Sequence, residues 1–276
     1  MSYQTLQTEY AQGIALIWMN RPKMRNALDN LVIAELTDAF SAAIEDDGVR
    51  AIVLAGRGKA FCAGADLNWL KTAREMTPDE AREDSIGLAR LMRLIYESPK
   101  PTVARVQGAA YAGGMGLVAA CDIAVASHDA KFCLSEVKLG LIAAMIGPYV
   151  IKAMGEARAR RFFLTAEPFD AAEAYRIGFV HELAPADELD ATVNAMLGHL
   201  VMASPNAMSE TKQLIRDVVG RPIDDELTRD TASRLARVRA SDDAQEGISA
   251  FFEKRKPRWV PEPPAAPDDD DDEADE

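Results

Sequence analysis

The chain has 276 residues, 48% of them hydrophobic and 27% charged, with a formal net charge of −13. That length allows one large domain or two small ones around a substantial core, and no apolar run approaches a membrane span. The acidic balance speaks against nucleic acid as the main ligand, and eight of the surplus acids lie in the terminal "DDDDDEADE" (Asp268 to Glu276), which leaves −5 for the rest.

The first ten residues, "MSYQTLQTEY", lack the basic flank and apolar centre of a signal peptide. "TLQTEYAQGIALIWMNRP" alternates like an antiparallel hairpin turning at Gln12-Gly13. Asn26 to Glu45 reads as a helix with Leu28, Val32, Leu36 and Phe40 on one face, and "AIVLAG" (Ala51 to Gly56) as a buried strand of the parallel type. Gly64 to about Glu97 is polar and helical, broken near Thr77-Pro78. "TVARVQG" is the next buried strand, followed by the glycine run "YAGGMG" and a short helix to Cys121. "DIAVAS" and "KFCLS" follow as strands, a helical region begins near Ile146, and "FVHELA" is a last strand. Ala186 to Lys254 is helical, with breaks at Ser204-Pro205 and at Gly220-Arg221-Pro222. The expected organisation is an α/β core over 1–185, a helical region over 186–259 and a disordered Pro-rich and acidic tail over 260–276.

Cys62, Cys121 and Cys133 are odd in number and at no metal-ligand spacing, which suits small buried hydrophobes in a reducing cytoplasm. His128, His181 and His199 are scattered and read as structural or surface residues. Neither a G-x-S-x-G elbow nor a P-loop is present. Gly114 to Ala119 matches G-x-G-x-x-A, but too few residues follow before Asp122 for the crossover helix of a dinucleotide site.

Two stretches share a design: "AIVLAGRGKAFCAGADL" (Ala51 to Leu67) and "TVARVQGAAYAGGMG" (Thr102 to Gly116) each run from buried strand through tiny residues to a helix start. Such loops leave peptide N–H groups exposed at the positive end of a helix dipole. Facing each other, two of them form an oxyanion hole; tight helix–strand packing without a ligand is the other reading of either loop. Glu136, in "KFCLSEVKLGL" at a strand exit, is either a capping or ion-paired residue or a partly desolvated general acid–base.

Together "NRPKMRNAL", "GRGKAFCAGADL", "GAAYAGGMGLVAACDIAVAS" and "KFCLSEVKLGL" resemble the crotonase (enoyl-CoA hydratase/isomerase) superfamily, over about Ile14 to Trp259. The resemblance implies a superhelix of ββα units with a C-terminal helical region that packs in homotrimers or dimers of trimers. It implies an acyl-CoA thioester substrate, no metal, and no cofactor beyond the coenzyme A of that substrate. By the same resemblance the amides of Ala65 and Gly113 grip the thioester carbonyl, and Glu136 is the catalytic acid–base. Arg25 and Ala27 line the CoA groove, Ala63, Asp66 and Leu67 hold the adenine end through their backbone, and Gly114 and Gly116 belong to the glycine loop that admits the acyl group. Phe252 and Lys254 close over the CoA, in part from a neighbouring subunit.

Hydratases of this family place two glutamates at the site, whereas the first of those positions is Gly116 here. A single carboxylate must pass a proton from water to substrate, or shuttle it between carbons as the enoyl-CoA isomerases do. The run from Gly113 to Val150 is most similar to bacterial methylglutaconyl-CoA hydratases of leucine catabolism. Hydration of a branched or carboxylated enoyl-CoA is therefore the expected reaction and isomerisation the alternative. Dehalogenation lacks its nucleophilic aspartate. An RNA-binding role is disfavoured by the acidic balance and the lack of a basic stripe interleaved with aromatics. Position 116 is expected to point into the acyl pocket and clear space there, with Lys71, Arg82 and Arg90 as candidate partners for a substrate carboxylate.

Overall fold

The computed structural model describes residues 3–261; most of the acidic tail lies outside them. The chain opens with the hairpin β1 (Leu6–Ala11) and β2 (Ile14–Met19), which pair antiparallel around Gln12 and Gly13, both at positive φ. Helix α1 (Asn30–Glu45) begins four residues later than its apolar pattern suggests. Arg25 and Asn26 are left-handed, at φ 50° and 54°, and the Asp29 side chain caps the helix by accepting the Val32 amide. Such a cap stabilises a helix start by about 1 kcal/mol.

The middle of the chain is built from ββα units. These are β3 (Ala51–Gly56), β4 (Ala60–Cys62), α2 (Leu67–Ala73) and α3 (Pro78–Glu97); then β5 (Thr102–Val106), β6 (Ala109–Tyr111) and α4 (Gly113–Ala120); then β7 (Ile123–Ser127), β8 (Lys131–Cys133), α5 (Gly147–Met154) and α6 (Glu156–Thr165). The break near Thr77 is a capping box closed by Glu80. Then come β9 (Phe169–Asp170), α7 (Ala171–Arg176) and β10 (Glu182–Ala184). Helices α8 (Leu189–Val201), α9 (Pro205–Val218), α10 (Asp225–Arg239) and α11 (Asp242–Glu253) end the chain.

Strands of one unit separate into two sheets. The larger runs β1-β2-β3-β5-β7-β10 and is parallel beyond its hairpin; the smaller runs β4-β6-β8-β9 and is parallel until β9. Every residue of β3 is buried, because α1 and α3 pack on one side of the large sheet and α8 on the other. Side chains such as Phe40, Phe61 and Phe132 fill that core, each contributing about 1.5–3 kcal/mol on burial. The fold class is the expected one, an α/β fold of two mixed sheets with C-terminal helices. Strands β4, β6 and β9, at two or three residues, are too short to show a period in sequence.

The C-terminal helices are tied to the core by Arg50, whose guanidinium donates to the carbonyls of Trp259 and Ala203, both at 2.7 Å. Lys212 in α9 donates to Asp122, whose carboxylate also accepts the Thr102 amide and hydroxyl. Asp122 is thereby a structural strap. All three cysteines are buried and free, and burial pushes Cys62 and Cys121 up to about 12. His181 is structural as well, its Nδ1 accepting the Ala124 amide. Among the described residues no helix is long and apolar enough to cross a membrane.

Candidate active site

The two small-residue loops meet. Gly64 sits at φ +92°, and a β-carbon there would lie 3.0 Å from Ala112 Cβ and 3.2 Å from the Tyr111 carbonyl oxygen. Only glycine permits both that conformation and that approach. Leu28 donates to the Gly64 carbonyl and accepts the Asp66 amide, so the Ala65 amide between them is turned the other way. Gly113 opens α4, where an amide has no acceptor within the helix. Its neighbour Ala112 holds the bend at φ 48° and ψ −117°, an alanine in a region costing about 1–3 kcal/mol. Hydrogen bonds from the Ala112 amide to the Cys133 carbonyl, and from Met115 and Gly116 to the Ala112 carbonyl, keep it there.

Glu136 follows β8 and starts a 3₁₀ turn, Glu136–Leu139, ended by Gly140 in left-handed conformation. Its Oε2 is buried without a hydrogen-bond partner, and burial raises the carboxyl above its ordinary value of 4.5. An acid in that state keeps its proton more readily than a solvated carboxyl and is suited to general acid–base work.

One cavity of about 560 Å³ collects these groups: Ala63, Ala65, Leu67, Gly113 and Glu136 all line it. Most of the remaining wall is aliphatic, from Leu28 and Ile33 through Leu88 to Ile146. Two unpaired amides and one unpaired carboxylate oxygen in an apolar cavity suit chemistry that gathers negative charge on a carbonyl oxygen and moves a proton nearby.

The other expected site residues sort differently. Arg25 is exposed at the rim, its carbonyl accepting the Ala63 amide, and Ala27 is buried beside it. The Asp66 amide donates to the Leu28 carbonyl and its carbonyl accepts the Leu70 amide, while its carboxylate caps α2 and pairs with Arg21 at 3.1 Å, so the residue braces the loop. At Gly114 a β-carbon would strike the Cys62 carbonyl oxygen at 2.6 Å, so its bareness lets α4 pack on β4.

Gly116 does not open the pocket. The space in front of it is filled by Ile146, whose Cγ2 would lie 2.1 Å from an added β-carbon. Phe252 and Lys254 lie exposed at the end of α11 and do not line the cavity of a single chain. Lys71, Arg82 and Arg90 also point to solvent, and among the described residues no lysine or arginine lines the cavity.

Sequence reasoning missed Asp84, which does line it. Asp84 Oδ1 accepts from Asn30 Nδ2 at 2.7 Å and Trp69 Nε1 at 3.2 Å, bridging α1, α2 and α3. Nothing distinguishes this acid from its neighbours in "TPDEAREDS". Asn26 was equally unmarked. It is 1% exposed, and its side chain accepts the Arg21 amide while donating to the carbonyls of Arg57 and Ala60, which fixes the rim loop to β4.

Residues 9–262 match the family model of enoyl-CoA hydratase/isomerase. A relative from Thermus thermophilus is 39% identical over 246 residues, covering 89% of this chain and 97% of its own. A crotonyl-CoA hydratase from Syntrophomonas wolfei is 32% identical, with 94% of this chain and 99% of that protein covered. The crystal structure of an enoyl-CoA hydratase from Shewanella pealeana superimposes with a TM-score of 0.91 at 41% identity, over 93% of this chain and 96% of that one.

Proposed function

The chain belongs to the enoyl-CoA hydratase/isomerase family, and from that premise we propose how it acts as an enoyl-CoA hydratase, a lyase, and on which acyl groups. The amides of Ala65 and Gly113 receive the thioester carbonyl oxygen and stabilise it as the enolate forms, a contribution that grows in a dry cavity. Glu136 takes a proton from water as the water oxygen bonds to the β-carbon. The same carboxyl then delivers that proton to the α-carbon, so one water is added and Glu136 ends ionised as it began. The observation that carries this reading is the buried, unpartnered Glu136 Oε2 in one cavity with the two amides.

Within the hydratases, the cavity fits a branched, apolar acyl group better than a carboxylated one. Its wall is aliphatic, and its one acid besides Glu136 is Asp84, with no lining cation to receive a substrate carboxylate. A methylglutaconyl group would have to bring its charge towards Asp84. The C-terminal helices and the α9–α10 connection expose Ile215, Val219, Ile223, Leu235, Phe251 and Phe252, apolar surface suited to a homotrimer or a dimer of trimers in which Phe252 and Lys254 reach a neighbour's CoA. Light scattering on Phe252→Glu checks this: mass and CoA affinity should both fall, and an unchanged mass refutes it.

The deciding experiment incubates the protein with a panel of enoyl-CoAs in ¹⁸O-water and follows mass. Hydration adds one labelled water. Migration of the double bond at constant mass would instead assign Glu136 to isomerisation.

A further inference from the structure

Gly116 and Ile146 compete for one volume. A β-carbon on Gly116 would lie 2.1 Å from Ile146 Cγ2, 2.7 Å from Ile146 Cβ and 3.1 Å from Met92 Cε. Ile146 is 2% exposed, yet it lines the catalytic cavity, so one side of its chain faces the substrate space and the other faces α4. It has little freedom to yield. Its carbonyl accepts the Tyr149 and Val150 amides in the first turn of α5, and the Gly147 amide donates back to Ala143. The wall it completes is the segment that starts at Glu136, whose carbonyl accepts the Leu141 amide at 3.0 Å.

We propose that Ile146 is the specificity-determining residue of this cavity: seated over Gly116, it closes the acyl end against long straight chains. It also excludes any side chain, a second carboxylate included, from position 116. The inference rests on the reading of the cavity as an acyl site. Behind Ile146 lie Gly116 and Met92, both buried and apolar. Removing the isoleucine side chain beyond Cβ therefore opens a space that a longer alkyl chain can enter without desolvating any charge. A single methylene in such a pocket changes selectivity by about tenfold or more.

The test uses four full-length proteins: wild type, Ile146→Ala, Gly116→Ala and the double variant. Thermal unfolding reads the shared volume without reference to activity. Helix propensity alone favours alanine over glycine in α4, so a loss of several degrees in Gly116→Ala that is smaller when the same substitution is made in Ile146→Ala, where the Cγ2 contact is gone and only the Cβ contact at 2.7 Å remains, reports the clash with Ile146. Hydration of straight-chain enoyl-CoAs of four, six, eight and ten carbons reads specificity. Ile146→Ala should raise kcat/KM for the eight-carbon substrate relative to the four-carbon one by about tenfold or more. An unchanged ratio in a folded Ile146→Ala protein, or melting shifts that simply add, overturns the proposal. If wild type hydrates none of them, the hydratase reading fails by itself. Dissociation constants for saturated acyl-CoAs of the same lengths then take the place of kcat/KM, and a chain-length preference that Ile146→Ala leaves unmoved overturns the role of Ile146.

Discussion

Leu28 brackets Ala65: its amide donates to the Gly64 carbonyl at 2.7 Å, and its carbonyl accepts the Asp66 amide at 2.8 Å. The Ala65 amide is thereby aimed away from Leu28, and the Gly113 amide opens α4 on the wall of the same cavity. Gly113→Pro deletes one of this pair at the first position of a helix, although proline also disfavours the Ala112 conformation before it, so the fold is checked by circular dichroism. Turnover should fall by about 10²–10³-fold. Gly113→Ala is the control, since its β-carbon would meet only Leu28 Cδ1 at 2.9 Å, the movable end of a side chain, and it keeps the amide. Equal steady-state rates in the two folded variants would remove Gly113 from the oxyanion site.

Glu136→Gln preserves the shape of the side chain and removes its capacity to carry the proton. We expect kcat to drop by about 10²–10⁴-fold, with the dissociation constant of a non-reactive acyl-CoA essentially unchanged. Rapid-quench kinetics showing near-normal hydration in this variant would assign proton transfer elsewhere.

The raised Glu136 carboxyl also fixes a pH dependence. Because the folded state holds the proton more tightly than the unfolded chain, its stability contribution is complete below the ordinary value of 4.5 and is lost as pH rises through the higher folded value. Glu136→Gln should therefore melt above wild type at neutral pH, and the difference should shrink towards zero as pH falls below that ordinary value. Melting curves whose difference is constant across this range would contradict the burial. Hydration needs the ionised form, so its acid limb should lie above 4.5 as well.

Asp84 bears on the acyl group. Asp84→Asn keeps an oxygen to accept from Asn30 and Trp69 while removing the cavity's second negative charge. The ratio of kcat/KM for methylglutaconyl-CoA to that for 3-methylcrotonyl-CoA should rise by about tenfold, the scale of one partly screened charge repulsion. A wild-type protein that already prefers the carboxylated substrate would refute the apolar reading of the pocket.

That Ala65, Gly113 and Glu136 would meet in one cavity was legible because each sits in a short run whose composition is odd for its place: tiny residues before a helix, or an acid after a buried strand. Gly114 and Gly116 look the same in sequence, but their missing side chains leave room for Cys62 and Ile146. No pattern within "YAGGMG" separates a glycine that frees an amide from one that admits a neighbour thirty residues away. The start of α1 was misplaced for a related reason. Ala27 and Leu28 are buried like helix residues, yet they belong to the rim loop pinned by Asn26, and the capping acid Asp29 marks the true boundary. Asp84 was hidden because a carboxylate in an acid-rich helix is recognisable only from what Asn30 and Trp69 bring to it.

The amides of Ala65 and Gly113 lie within a rigid frame, but neither is part of a sheet ladder or a helical turn. Solvent deuterium should therefore replace their protons quickly, while the Asp66 and Leu28 amides beside them exchange only on larger openings of the core. Occupancy of the cavity by a thioester should reverse that contrast at these two positions. Exchange measured residue by residue would then report binding at the carbonyl itself, in wild type and in variants too slow to turn over.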